Sequence, residues 1–151
     1  MYSIILLLHS WVRWIAIVSG VGATVAALNA PEPNAAPRGD RWGLFFVMAL
    51  DLQFVLGLVL YVALSPFTRQ AMEDFGGAMR NPQLRFWAVE HAASMVAAVV
   101  LVLVGRVLAR KARTPESKRA RLLVCYGFAT LLMLLLTPWP GLANGRPLFR
   151  F

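Results

Sequence analysis

The sequence predicts an all-α integral membrane four-helix bundle, on three observations. Hydrophobic residues fill 59% of its 151 positions and mean hydropathy is +0.64, more apolar than an ordinary soluble domain. Apolar runs long enough to cross a hydrocarbon core of roughly 30 Å fall at about 3–28, 43–64, 84–108 and 120–138. The breaks between them carry Pro, Gly and charge, as helix connections do. This length suits one bundle, so residues 1–151 read as a single four-span domain.

The first run contains LLLHSWVRWIAIV. It has no basic leader, exceeds the apolar length of a signal sequence and has no A-x-A-like cleavage site, so it is expected to stay as a span. The second run, after APEPNAAPRGDR, carries Asp51, Gln53 and Gly57. The third contains RFWAVEHAASMVAAVV, and the fourth holds the lone Cys125. Between spans two and three, Phe67, Ala71, Phe75 and Met79 recur at near-helical spacing after Ser65-Pro66. That spacing predicts a short interfacial helix on the membrane surface, broken near Gly76-Gly77. It would serve as a lid or a docking surface, or simply lie on lipid. The tail TPWPGLANGRPLFRF is punctuated by Pro and Gly and reads as irregular, with Trp139 as an interfacial anchor.

Charge sets the expected orientation. The connection RVLARKARTPESKRAR carries Arg106, Arg110, Lys111, Arg113, Lys118, Arg119 and Arg121 against Glu116 alone. The positive-inside rule makes it cytoplasmic, and with it the first connection, giving an N-out/C-out chain. The same loop suits contact with anionic lipid headgroups. The pI of about 11.1 does not imply nucleic-acid binding, because the basic residues lie between spans without interleaved aromatics. One cysteine gives no disulfide framework and no CxxCH attachment for c-type haem. No nucleophile, phosphate-loop or dinucleotide motif is present, so hydrolase and kinase readings have no support.

Within the spans the polar inventory is short: His9, Ser10, Arg13, Asp51, Gln53, Glu90, His91 and Ser94. His9 lies six residues into the first run and His91 seven into the third. Odd-numbered spans run parallel, so both imidazoles sit at one level, about 10 Å below the outer interface. An imidazole at that depth is costly without a partner and is a functional candidate by default. His9 and Arg13 share a helix face that continues through Ala16 and Gly20. Arg13 and Asp51 lie at similar depth, which predicts an ion pair acting as a bundle latch, a proton path or a carboxylate holder. Glu90 and His91 point about 100° apart, so Glu90 is expected to meet Arg85 or another helix. Arg80 and Arg85, above the histidines, suit bidentate binding of carboxylates or contact with headgroups.

Two level histidines fit a bis-imidazole b-type haem in the bundle interior. Ala92, Ala93, Gly57, Gly127 and Ala129 would make room for a macrocycle or serve close helix packing. A structural zinc needs four ligands and finds only two histidines. A copper(I) site with Met95 and a purely structural histidine pair stay open.

The stretches LLLHSWVRW, DLQFVLGLVLYVALSP, AMRNPQLRFWAVEHAASMVAAVVLVLVGR and TPWPG together resemble small bacterial four-span membrane proteins labelled cytochrome b-like, over most of the chain. The resemblance implies haem b with His9 and His91 as axial ligands. The expected function is an electron-transfer subunit with one haem near the outer face, exchanging electrons between quinol and a membrane or periplasmic redox partner. Arg85, with Arg13 as a second choice, would neutralise propionates. Trp14, Trp87 and Tyr61 would line a quinone site, and Glu90 or Asp51 would take protons. The location implied is the bacterial inner membrane. The expected partners are membrane lipid and other redox subunits, or further copies in a homo-oligomer; the alternative functions are a non-haem accessory subunit of a complex, or a small-solute or ion carrier using Arg13, Asp51 and Glu90.

Overall fold

The computed structural model describes residues 1–29 and 38–149; most of the first connection, expected on the side of the basic loop, lies outside them. The described secondary structure is helical throughout. Four helices are long and apolar enough to cross a membrane: Tyr2–Leu28, Arg41–Leu64, Pro82–Arg110 and Pro115–Leu136. Seven α-helices are formed by the described residues: α1 Tyr2–Leu28, α2 Arg38–Val59, α3 Pro66–Glu73, α4 Phe75–Arg80, α5 Pro82–Arg85, α6 His91–Arg110 and α7 Pro115–Leu136; α3 and α4 lie between the second and third long helices.

Three starts share one piece of local chemistry, a short polar side chain followed by proline. Ser65, Asn81 and Thr114 cap α3, α5 and α7, and Pro66, Pro82 and Pro115 open them. The Asn81 Oδ1 accepts from Gln83 N at 3.0 Å and Leu84 N at 3.2 Å, and Thr114 Oγ1 accepts from Ser117 N at 3.2 Å. Such caps satisfy amides that the first turn leaves unpaired, while proline gives up a donor the helix does not need there. This cap is why α7 begins five residues before the apolar run at 120.

The four long helices form a ring in the order α1, α2, α6, α7, so α1 and α6 face each other across the diagonal. The packing is uneven. Helix α1 is closely packed on α2, and α6 on α7, whereas α2 and α6 touch much less. A solid core of Ala16, Ala23, Phe46, Val102, Tyr126 and Ala129 fills the half nearer the basic loop. There a Cβ on Gly20 would come 2.7 Å from Thr130 Oγ1, so only glycine lets α1 and α7 approach this closely. Ser10, Ser19, Thr24 and Thr137 return their hydroxyls to carbonyls one turn back, which satisfies them without a partner helix. At the basic end Arg119 donates to the Leu28 carbonyl and Arg121 to Leu108 at 2.6 Å, covering acceptors at two helix ends.

The opposite, upper end of the bundle is the one where α1 starts at Tyr2. Here two π-helical turns interrupt the ladders, Leu60–Leu64 after α2 and Phe86–Glu90 before α6. Tyr61 Oη donates to the Ala88 carbonyl at 2.8 Å and so ties the two turns together. Thr68 Oγ1 donates to the Tyr61 carbonyl at 2.8 Å and fixes α3 beside them. Ala71 and Ala78 pack with Ala88, so α3 and α4 lean on the start of the third span. The interruption falls at Asp74, not at Gly76-Gly77, which lie inside α4. Asp74 Oδ1 accepts from Gly77 N at 2.8 Å, so the acidic side chain makes the stop and restarts the helix.

Candidate functional site

Tight packing ends at Ala16, Ile17, Leu50, Val99 and Met133, and these residues floor a cavity of about 500 Å³ in the upper half. Its volume lies within the roughly 300–1,000 Å³ of small-molecule sites. It occupies the gap where α2 and α6 separate, with α1 behind. Leu58 and Val96 stand on its rim, each about half exposed, so the gap opens sideways between these two helices.

Both histidines reach this space from diagonal helices. His91 Nδ1 lies 2.8 Å from the Leu136 carbonyl, which can only accept, so Nδ1 carries the proton. That leaves Nε2 as the bare nitrogen. Leu136 sits in the last turn of α7, where carbonyls lack helical partners, which is why it is available. On the other wall, His9 Nε2 lies 3.2 Å from Gln53 Nε2. The ring is seated against Gly57, where a Cβ would come 3.2 Å from His9 Cε1.

Three cavity-lining side chains have buried polar atoms without a hydrogen-bond partner: His9 Nδ1, Gln53 Oε1 and Trp87 Nε1. Buried polar groups are nearly always satisfied, so three around one cavity mark a place for a ligand with polar atoms. Cationic groups stand there too. Arg13 lines the cavity and donates Nη2 to the Leu148 carbonyl at 2.9 Å. Arg146 lines it from the tail, its guanidinium 5.1 Å from the ring centres of both Phe67 and Trp87. The tail is held by Trp14 as well, whose Nε1 donates to Leu148 at 3.1 Å and whose ring stacks on Phe149 at 5.6 Å.

Of the sequence-derived candidates, His9, His91, Arg13, Tyr61 and Trp87 therefore meet at one cavity. Arg85, Glu90, Asp51 and Trp14 do not line it. Arg85 Nε instead meets Glu90 Oε1 at 2.7 Å, both side chains well exposed, a pair of small energetic weight. The expected Arg13–Asp51 ion pair is not made: Asp51 is exposed on the outer side of α2, while Arg13 turns inward. Equal depth did not bring them together because their helices present them at different rotations. Gly127 and Ala129 also leave the cavity alone: Gly127 faces Thr24 and Ala129 is fully buried in the core.

The donor set limits what can be held. Among the described residues no three His, Cys, Asp or Glu side chains gather around a common point. A metal here would have two imidazoles and must bring its other ligands with it, as a macrocycle-bound iron does. The rest of the site fits such a group: an apolar body, guanidinium groups for carboxylates and a glycine beside one ring. The Gln53 amide contacts His9 Nε2 at 3.2 Å, and a ligand bound at this nitrogen would take that contact's place. In comparison with known proteins the chain matches no family model, no curated protein and no solved structure.

Proposed function

We propose that this chain is a b-type cytochrome-like electron-transfer subunit of a bacterial cytoplasmic membrane, holding one haem between His9 and His91. The reading rests on one observation above all: two imidazoles from non-adjacent helices line a single cavity of ligand size. The orphaned polar atoms add to it, because a purely structural histidine pair would leave them unexplained. Orientation follows the charge pattern, with the basic loop in the cytoplasm and both chain ends outside. The segment α3–α5 then lies at the outer interface, with Phe75 and Met72 exposed towards lipid headgroups.

Iron held there supplies one-electron exchange between quinol and a redox partner. The chain's own residues do the rest. Leu136 fixes the tautomer and orientation of His91, as carbonyls do for ligating histidines. Arg13 and Arg146, in place of the Arg85 expected from sequence, neutralise carboxylates at the upper mouth. The gap between α2 and α6 opens the cavity to the membrane, the side from which a quinol would exchange electrons with a bound haem.

The test is a reduced-minus-oxidised optical spectrum of the protein purified from haem-sufficient cells. A b-type α-band that disappears in both His9→Ala and His91→Ala, with the variants still folded, supports the reading. A colourless wild-type protein that is folded and does not take up added haemin removes it and leaves the accessory-subunit alternative.

A further inference from the structure

A second feature, independent of the cavity and of any cofactor, is the carboxyl group of Asp51. It stands ten residues above Arg41 and thirteen below Leu64 in the second long helix, so about 15 Å and 20 Å from its ends. That is mid-depth in a hydrocarbon core. Asp51 is exposed, does not line the cavity, and has no hydrogen bond or ion pair among the described residues. Its face of α2 is otherwise apolar and open, with Met48, Leu52 and Val55 each more than half exposed. Ionisable side chains inside a span are expensive and almost always turn inward or pair. Here the fold turns Gln53 inward, buried against His9, and leaves the carboxyl outside.

We propose that the outer face of α2 docks a transmembrane helix of a different protein, one carrying a lysine or arginine at mid-membrane depth that pairs with Asp51. Charge complementarity decides the occupant. A second copy of this chain has no exposed cation to offer at that level: in its spans Arg13 turns into the cavity, Arg85 lies at the upper end on Glu90, and Arg41, Arg106, Arg110, Lys118, Arg119 and Arg121 lie at the basic end. Two copies meeting on this face would instead set carboxyl against carboxyl. The exposed methionine and aliphatic side chains beside Asp51 supply an adaptable apolar surround for the pair.

The experiment uses the full chain, donor-labelled at its N-terminal amine, in vesicles of zwitterionic lipid. The probes are acceptor-labelled synthetic leucine–alanine transmembrane helices with one central lysine, with that lysine moved to the helix end, or with none. Energy transfer should show the central-lysine helix associating at least about fivefold more strongly than the other two. Asp51→Leu should abolish that preference. This variant removes a lipid-facing carboxyl, and its folding is verified by an unchanged melting temperature. Equal association of all three helices, or a preference that survives Asp51→Leu, overturns the proposal. So does transfer between donor- and acceptor-labelled copies of the chain itself that is lost in Asp51→Leu, because it assigns the face to self-association.

Discussion

Replacing Gly57 by alanine separates what the cavity does for stability from what it does for a ligand. A Cβ built on Gly57 stands 3.2 Å from His9 Cε1 and 3.7 Å from Nδ1. Carbon atoms settle at about 3.5–4.0 Å, so the ring must retreat by roughly 0.3 Å or more. A metal–imidazole bond of about 2.0–2.1 Å tolerates deviations of about 0.2 Å. The displacement exceeds that tolerance, and the expected consequence is at least a tenfold loss of haem affinity, about 1.4 kcal/mol. Stability should move the other way or stay level, because alanine inside a helix is favoured over glycine by about 0.5–1 kcal/mol. Gly127→Ala is the control. Its Cβ would meet only Thr24 Cγ2 at 3.8 Å, an ordinary contact, so it brings the helix gain without moving a histidine. Haemin titration followed by the Soret band, with thermal unfolding in detergent, reads both quantities. If Gly57→Ala and Gly127→Ala bind haem as tightly as each other and with the wild-type spectrum, His9 is not a ligand and the argument fails.

Two further substitutions probe the upper end. Arg146→Ala removes a guanidinium lying over both Phe67 and Trp87, which should cost about 1 kcal/mol. The tail should then be cut faster by an added protease, with cleavage confined to residues after Trp139. Tyr61→Phe deletes the bond to the Ala88 carbonyl and should lower stability by about 1 kcal/mol in thermal unfolding, with the helical circular dichroism unchanged.

The sequence carried the four long helices well, because hydropathy is a local property and each helix satisfies its own backbone inside lipid. It also singled out His9 and His91 together by counting residues along the first and third spans, and both line the one cavity. Rotation was harder. Asp51 and Arg13 match in depth, yet one faces outward and the other inward, and counting along an axis does not show which way a side chain turns. A partial signal was present: Gln53 and Gly57 share one side of α2, and Asp51 lies about 200° from Gln53. Arg146 had no such signal. Its tail has no periodicity, and only the three-dimensional return of the chain to Phe67, Trp87 and the cavity gives that residue a place. The helix stop at Asp74 was misplaced because two consecutive glycines look like a break, whereas an aspartate accepting from a nearby amide makes one.

The walls of this chamber and its covering are built in different ways. Helices α1, α2, α6 and α7 make the walls, whereas residues 138–149 form no helix. Arg146 and Leu148 are held to the wall by Phe67, Trp87, Arg13 and Trp14, so lifting the tail away from the cavity breaks these contacts and unwinds no helix.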